Sequence, residues 1–373
     1  MDTGSERRTK RQKHNQFTGI LSGNTMGDQD GERYTAAIGT KPDRDDDHEF
    51  PTLDIETDPI DVARQSLPDS LSELLERYDD VVADRDQAQW DWLYNAFPAF
   101  RLSCVDTDRT RQVRIAKLLS TLFITVADDV AERHGDRETF AELANVPFDH
   151  QHADPSHPAV DGKIVRFGID VWNCFRRLYD DSPRAHEFSE QLRFDVRQVL
   201  AAIEYSALAN HSPELVSEHE LWRYDAYNMM VFVHADTDLA NAPTFDVQEL
   251  SSLRQALDRT QRMARIGNWL ATWKRELGEG DYSSGVVVRA VETNVVPATE
   301  LRALGTDPNP DALRAVVRAI ESSTVEEYFL DQWRVECADA ARFEKSLESV
   351  DLAGYLDGFE TILRSHIATR NAT

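Results

Sequence analysis

The 373-residue sequence carries 67 Asp and Glu against 41 Lys and Arg, a formal charge of −26, with 41% hydrophobic residues and only 16 Gly and 14 Pro. This is the composition of a globular chain able to bury a sizeable core, and so acidic a balance argues against duplex nucleic acid and anionic membranes, which both attract positive surfaces. No stretch approaches the roughly 18 consecutive apolar residues that a membrane span requires.

Seven of the cationic residues are Lys and 34 are Arg, an acidic, Lys-poor balance similar to that of proteins from salt-loving organisms. Residues 1–60 are polar and rich in Gly, Asp, Thr and Arg, without periodic apolar spacing, and read as a flexible extension with no secretion signal. The helical body is expected to occupy 61–373. Apolar residues recur there at steps of three and four, first in Val113, Leu118, Leu119, Leu122, Phe123, Val126 and Val130, while alternating runs are scarce. Further helices are predicted over 186–209, 215–233, 247–278, 312–323, 325–348 and 351–369, with breaks at Pro213, Pro243, Pro297, Pro308 and Pro310. The expected fold is all-α, a single helical bundle. Cys104, Cys174 and Cys337 form no CxxC pair, which fits free thiols in a reducing cytoplasm.

Two polar constellations stand out. Asp128, Asp129 and Glu132 follow the apolar run that ends at Val126. One helical turn separates Asp128 from Glu132, so they share a face, and three carboxylates this close repel one another unless a cation neutralises them. Oxygen ligands of this kind suit magnesium, which binds through a few carboxylates and substrate phosphates while keeping several waters. In so acidic a chain, the same pattern also describes a solvated helix face. The second constellation is Asn268, Thr272 and Glu276 in the segment NWLATWKRE, each one turn from the next. Amide, hydroxyl and carboxylate oxygens in a column form a second cation cradle, and Lys274 and Arg275 beside it can reach an anion held by that cation. An exposed polar stripe is the competing reading, although Trp269 and Trp273, also four apart, require the helix to bury aromatic surface close by. His150, His152 and His157 lack the spacing of a zinc site and read as a surface loop. Arg176 and Arg177 read as partners of Asp180 and Asp181.

In the order DDxxE then NxxxTxxxE, with Asn268 following Asp128 by 140 residues, the chain resembles the class I terpene synthases of the microbial single-domain type. The resemblance covers about residues 87–371 and implies their helical bundle with a central active-site cavity. It implies that Asp128, Asp129, Glu132, Asn268, Thr272 and Glu276 bind magnesium, as three ions. Arg223, 45 residues before Asn268 in HELWRYDAY, falls where the family has an arginine that senses diphosphate, and Arg370 falls at the closing arginine of the C-terminus, with Asn371 in place of the usual tyrosine. Arg275 and Lys274 are expected on the same diphosphate. Ala226 and Tyr227 stand where the family usually has a small effector residue.

The implied activity is ionisation of an acyclic prenyl diphosphate, C15 or C20 favoured, to a cation that is cyclised or quenched, with Asp128 and Arg223 as the catalytic pair. A dry aromatic pocket should hold the hydrocarbon, with Phe97, Phe123 and Tyr227 as lining candidates and Phe100, Trp172, Phe175 and Phe232 behind them. A prenyltransferase on the same fold and a non-catalytic helical interaction protein are the alternatives. A homodimer is compatible with the sequence.

Overall fold

A computed structural model describes residues 67–372, apart from 83, 84, 86, 149, 213–215, 307 and 308. The expected extension at 1–60 lies outside the described residues. Ile55–Thr373 form one compact unit. The described residues are helical throughout, with no strand among them: α1 Asp69–Val81, α2 Gln87–Ala96, α3 Thr110–Asp128, α4 Arg137–Asn145, α5 Gly162–Asp180, α6 Ala185–His211, α7 Glu218–Arg223, α8 Val231–Ala240, α9 Leu250–Glu279, α10 Gly285–Glu292, α11 Ala298–Thr306, α12 Pro310–Glu321, α13 Val325–Ala341 and α14 Leu352–Ala372. None of these helices is long and apolar enough to cross a membrane.

Local chemistry accounts for the boundaries. Asp161 caps α5 by accepting from the Lys163 and Ile164 amides, Ser217 caps α7 through the Glu220 amide, and Asn309 caps α12, whose first residue is Pro310. Pro310 therefore opens a helix where the sequence suggested a break, because its missing N–H costs nothing at the first helical position. Gly280, at φ +86°, ends α9. The single helix expected over 215–233 is instead α7, a 3₁₀ segment Asp225–Met229 and α8, separated by Met230 at φ +59°. A left-handed non-Gly residue is costly, so the packing around Met230 must overdetermine this corner.

Two cores meet in the bundle. One gathers α1, α2, α3, α5 and most of α6 around Trp90, Phe123, Trp172 and Phe175. The other surrounds α9, which packs most extensively against α13 and α14 and buries Trp269 and Trp273. Helix α8 joins them, and all ten of its residues are buried. Its polar side chains must then find partners inside: Asp238 accepts from Lys117 Nζ at 2.8 Å and from the Leu102 amide at 2.9 Å, and Asp236 accepts from Gln191.

Helix α14 lies against the 3₁₀ turn Phe97–Phe100 so closely that a Cβ on Gly358 would sit 1.6 Å from the Ala99 carbonyl oxygen. Gly358→Ala should therefore destabilise the protein by about 1–3 kcal/mol or more, since backbone must move to admit the methyl. Thermal unfolding of the variant measures this, and an unchanged midpoint would show that the two segments are not in this contact.

Candidate active site

The two constellations open onto one cavity of about 580 Å³, lined by Asp128 and Glu132 on one side and by Asn268 and Glu276 on the other. A larger depression of about 720 Å³ runs along α5 past Asp170, Arg176 and Arg177, but it contains neither motif. The 580 Å³ cavity lies where the two cores meet, with α3 and the turn after it facing α9.

Asp128 ends α3, and the next residues, Asp129–Arg133, form a π turn closed by the His134 amide on the Asp129 carbonyl at 3.0 Å. Such wide turns inside helices alter which side chains share a face. Asp128 keeps one oxygen on Asn228 Nδ2 at 3.3 Å and the other on Arg85 Nη2 at 3.2 Å. Asp129 points the other way. It is fully buried, accepts from Tyr78 Oη at 3.0 Å and Arg85 Nε at 2.8 Å, and does not line the cavity. Its proposed place among the ligands thus meets a physical obstacle: both oxygens are already spent on holding the motif against α1 and the segment that carries Arg85.

On α9, the Asn268 Oδ1 accepts from Arg265 Nη1 at 2.7 Å. The Thr272 hydroxyl turns back to donate to the Asn268 carbonyl at 2.8 Å, so it lies between Asn268 and Glu276 without being part of the cavity wall. Glu276 is 3.5 Å from Arg275, which also bonds Glu279.

Burial sets the electrostatics, and crowding adds to it. Burial pushes the Asp128 carboxyl up to about 6, with Asp129 adding to the rise and Arg85 opposing it. Glu132 is raised well above its usual range by burial and by Asp128, Asp281 and Asp225, and burial followed by Asp281 raises Glu276 to about 7. Negative charge is concentrated here beyond what the wall's own cations neutralise, which is the condition a divalent cation relieves. The donors are all oxygen, which fits magnesium. Among the described residues, no three His, Cys, Asp or Glu side chains are already gathered tightly enough to hold a metal ion, so the fit is one of donor chemistry and shared cavity.

Other expected residues lie elsewhere. Arg223 is exposed at the end of α7, its guanidinium 5.2 Å from the Tyr224 ring centre. Lys274 pairs with Glu321 away from the cavity. The Arg370 side chain lies outside the described residues. Phe97 and Phe123 are core residues, Phe123 against Trp172, and Tyr227 stacks on Phe232; none of the three lines the cavity. The apolar wall is built from Leu93, Ile124, Met229 and Met230. Sequence reasoning passed over Arg85 and Arg265. Arg265 sits one turn before Asn268, and that spacing was the signal available.

Residues 120–301, just under half of the chain and spanning both motifs, match the family described as "Terpene synthase family 2, C-terminal metal binding". The segment that carries both motifs belongs to this terpene synthase family. Terpene synthase chemistry of the lyase type is supported at the level of that family. No curated protein matches the synthase. Among solved structures, 2-methylisoborneol synthase from Streptomyces coelicolor A3(2) is similar over 82% of this chain and 94% of its own, at 14% identity and a TM-score of 0.49.

Thr121 of the cavity wall meets His234 Nε2 at 3.1 Å, and the imidazole packs against both Phe97 and Phe100, with ring centres at 5.2 and 6.3 Å. Burial, followed by the nearby Lys117 ammonium, lowers the His234 pKa well below 6.5. The folded state therefore keeps His234 neutral while the unfolded chain protonates it, so its contribution to stability is complete above pH 6.5 and is lost as pH falls. His234→Gln should shed part of the decline in urea stability between pH 6.5 and 5, up to about 1.4 kcal/mol per pH unit. The same slope in both proteins would show that folded His234 takes up the proton freely.

Proposed function

We propose that this synthase uses magnesium to ionise an acyclic prenyl diphosphate, C15 or C20, and that the resulting allylic cation is cyclised or quenched with release of diphosphate. The observation that supports the reading is the convergence of Asp128 and Glu132 with Asn268 and Glu276 on one cavity. Asp128, Glu132, Asn268 and Glu276 are the residues that would hold the metal, with Thr272 adjacent; when bound, magnesium neutralises charge on the departing diphosphate.

The chain's own groups do the rest. Asn228 and Arg85 orient the Asp128 carboxylate, and Tyr78 and Arg85 anchor Asp129 behind it. Arg275, at the rim beside Glu276, is placed to meet an anion at the polar end. The bond from C1 to the diphosphate oxygen breaks with its electron pair leaving on oxygen. Leu93, Ile124, Met229 and Met230 then surround the hydrocarbon with side chains that offer no oxygen or nitrogen nucleophile, and the polarisable thioethers of the two methionines suit a travelling cation. Free thiols at Cys104, Cys174 and Cys337 suit work in the cytoplasm.

Incubating the full-length protein with C10, C15 and C20 diphosphates and magnesium, then assaying inorganic diphosphate and the volatile extract, tests the reading. Asp128→Asn and Glu276→Gln should each lower diphosphate release by about 100-fold or more with unchanged helicity, the scale seen when a preorganised charge-stabilising group is removed. Chelation should stop turnover, and normal activity in either variant would overturn the assignment.

A further inference from the structure

We propose that the Thr121 hydroxyl and the His234 imidazole behind it are the proton acceptor that ends the reaction in this cavity, where the carbocation loses a proton to become an alkene. The proposal rests on the reading of the cavity as a prenyl diphosphate site. Thr121, Ile124, Thr125 and Asp128 line the cavity from one face of α3. Thr121 stands two turns before Asp128, about 10 Å along the helix axis, so it belongs with the side chains that surround the hydrocarbon rather than with those at the diphosphate. His234 Nε2 lies 3.1 Å from Thr121 Oγ1, within the reach that proton transfer needs.

Packing fixes the pair. The imidazole is only 7% exposed, with its plane nearly perpendicular to Phe97 and nearly parallel to Phe100. The nearby Lys117 ammonium is engaged by Asp238 at 2.8 Å and by the Phe100 carbonyl at 3.2 Å, which leaves the imidazole to Thr121. The Lys117 carbonyl, 2.8 Å from Thr121 Oγ1, already accepts from Ser120 Oγ at 3.0 Å and from the helical amide four residues on, so the Thr121 proton can turn to Nε2. Burial and Lys117 keep the ring neutral near pH 7, with a lone pair to offer. In the step itself, a C–H bond beside the cationic carbon breaks and its electron pair becomes the C=C bond. The proton released goes to Thr121 Oγ1 while the proton already there moves to His234 Nε2, so that a cation and a neutral imidazole become an alkene and an imidazolium. The buried imidazolium, repelled by Lys117, returns its proton through Thr121 to water once the product leaves. Asp128 and the other carboxylates stand at the acidic end and, on the same reading, are held by magnesium.

Product analysis on the full-length protein, with magnesium and whichever of the C10, C15 and C20 diphosphates it turns over, provides the test. The main hydrocarbon formed per diphosphate released should fall by about tenfold or more in Thr121→Val and in His234→Gln, with other alkenes or alcohols in its place. Thr121→Ser should retain the wild-type hydrocarbon. Val keeps the shape of Thr121 and Ser keeps its chemistry, so a role in packing alone would disturb Thr121→Ser more, and this pair decides the matter even where His234→Gln fails to fold. An unchanged product in Thr121→Val, a greater change in Thr121→Ser than in Thr121→Val, or a wild-type product that is an alcohol alone overturns the proposal. A wild-type protein that releases no diphosphate from any of the three substrates overturns the functional reading instead.

Discussion

Mutual repulsion among carboxylates in a partly dry seam is the constraint around which this molecule is arranged. Asp128, Glu132, Glu276 and Asp281 line one cavity, and burial together with their neighbours raises the first three above their usual range. A bundle designed only for stability would place such groups on its outer surface, where water screens them. Here they are held inward because the helices that carry them are each committed to a different core: α3 to the one around Phe123 and Trp90, α9 to the one around Trp269 and Trp273. The apolar packing outweighs the electrostatic cost and holds the two acidic walls face to face.

The protein offsets part of that cost with arginine. Arg85 reaches Asp128 and Asp129 from the segment between α1 and α2, and Arg265 links Asp225 to Asn268. Both are planar, always charged and able to bond two partners at once, properties that lysine lacks and that make arginine the better residue for buried pairs. The one deeply buried lysine seen in the core, Lys117, is matched to a single carboxylate, Asp238, and to the Phe100 carbonyl. Charge on the wall is thus divided between groups fixed by the fold and groups left to a ligand, which is how a site can be stable when empty and still attract cations.

Helix α8 shows how far the fold goes to build this seam. Every residue is buried, yet it carries His234, Asp236 and Asp238. Each finds a partner on a neighbouring helix, so α8 joins α3 and α6 by polar contacts as well as apolar ones. The left-handed Met230 at its start sets the helix off from the 3₁₀ turn, and Asn228, Met229 and Met230 at that corner all enter the cavity wall. Backbone strain of this sort tends to sit where a site needs an unusual shape.

The helical class, most helix boundaries, the two polar constellations and the family they resemble are legible in the amino-acid order, because each is written in local spacing, capping residues and the 3.6-residue period. Tertiary structure decided which side chains face one another. Neighbouring residues on a helix differ by about 100° in direction, so Asp128 enters the cavity while Asp129 turns to Tyr78, and no local pattern says which of the two α1 will cover. In the same way Arg223 fell outward and Arg265 inward, and Phe97, Phe123 and Tyr227 went to packing. Those outcomes depend on how each helix is rotated against partners up to 100 residues and more away in the chain, as in the bond from Asn228 to Asp128, and that rotation is set by the summed packing of two cores rather than by any short stretch of sequence.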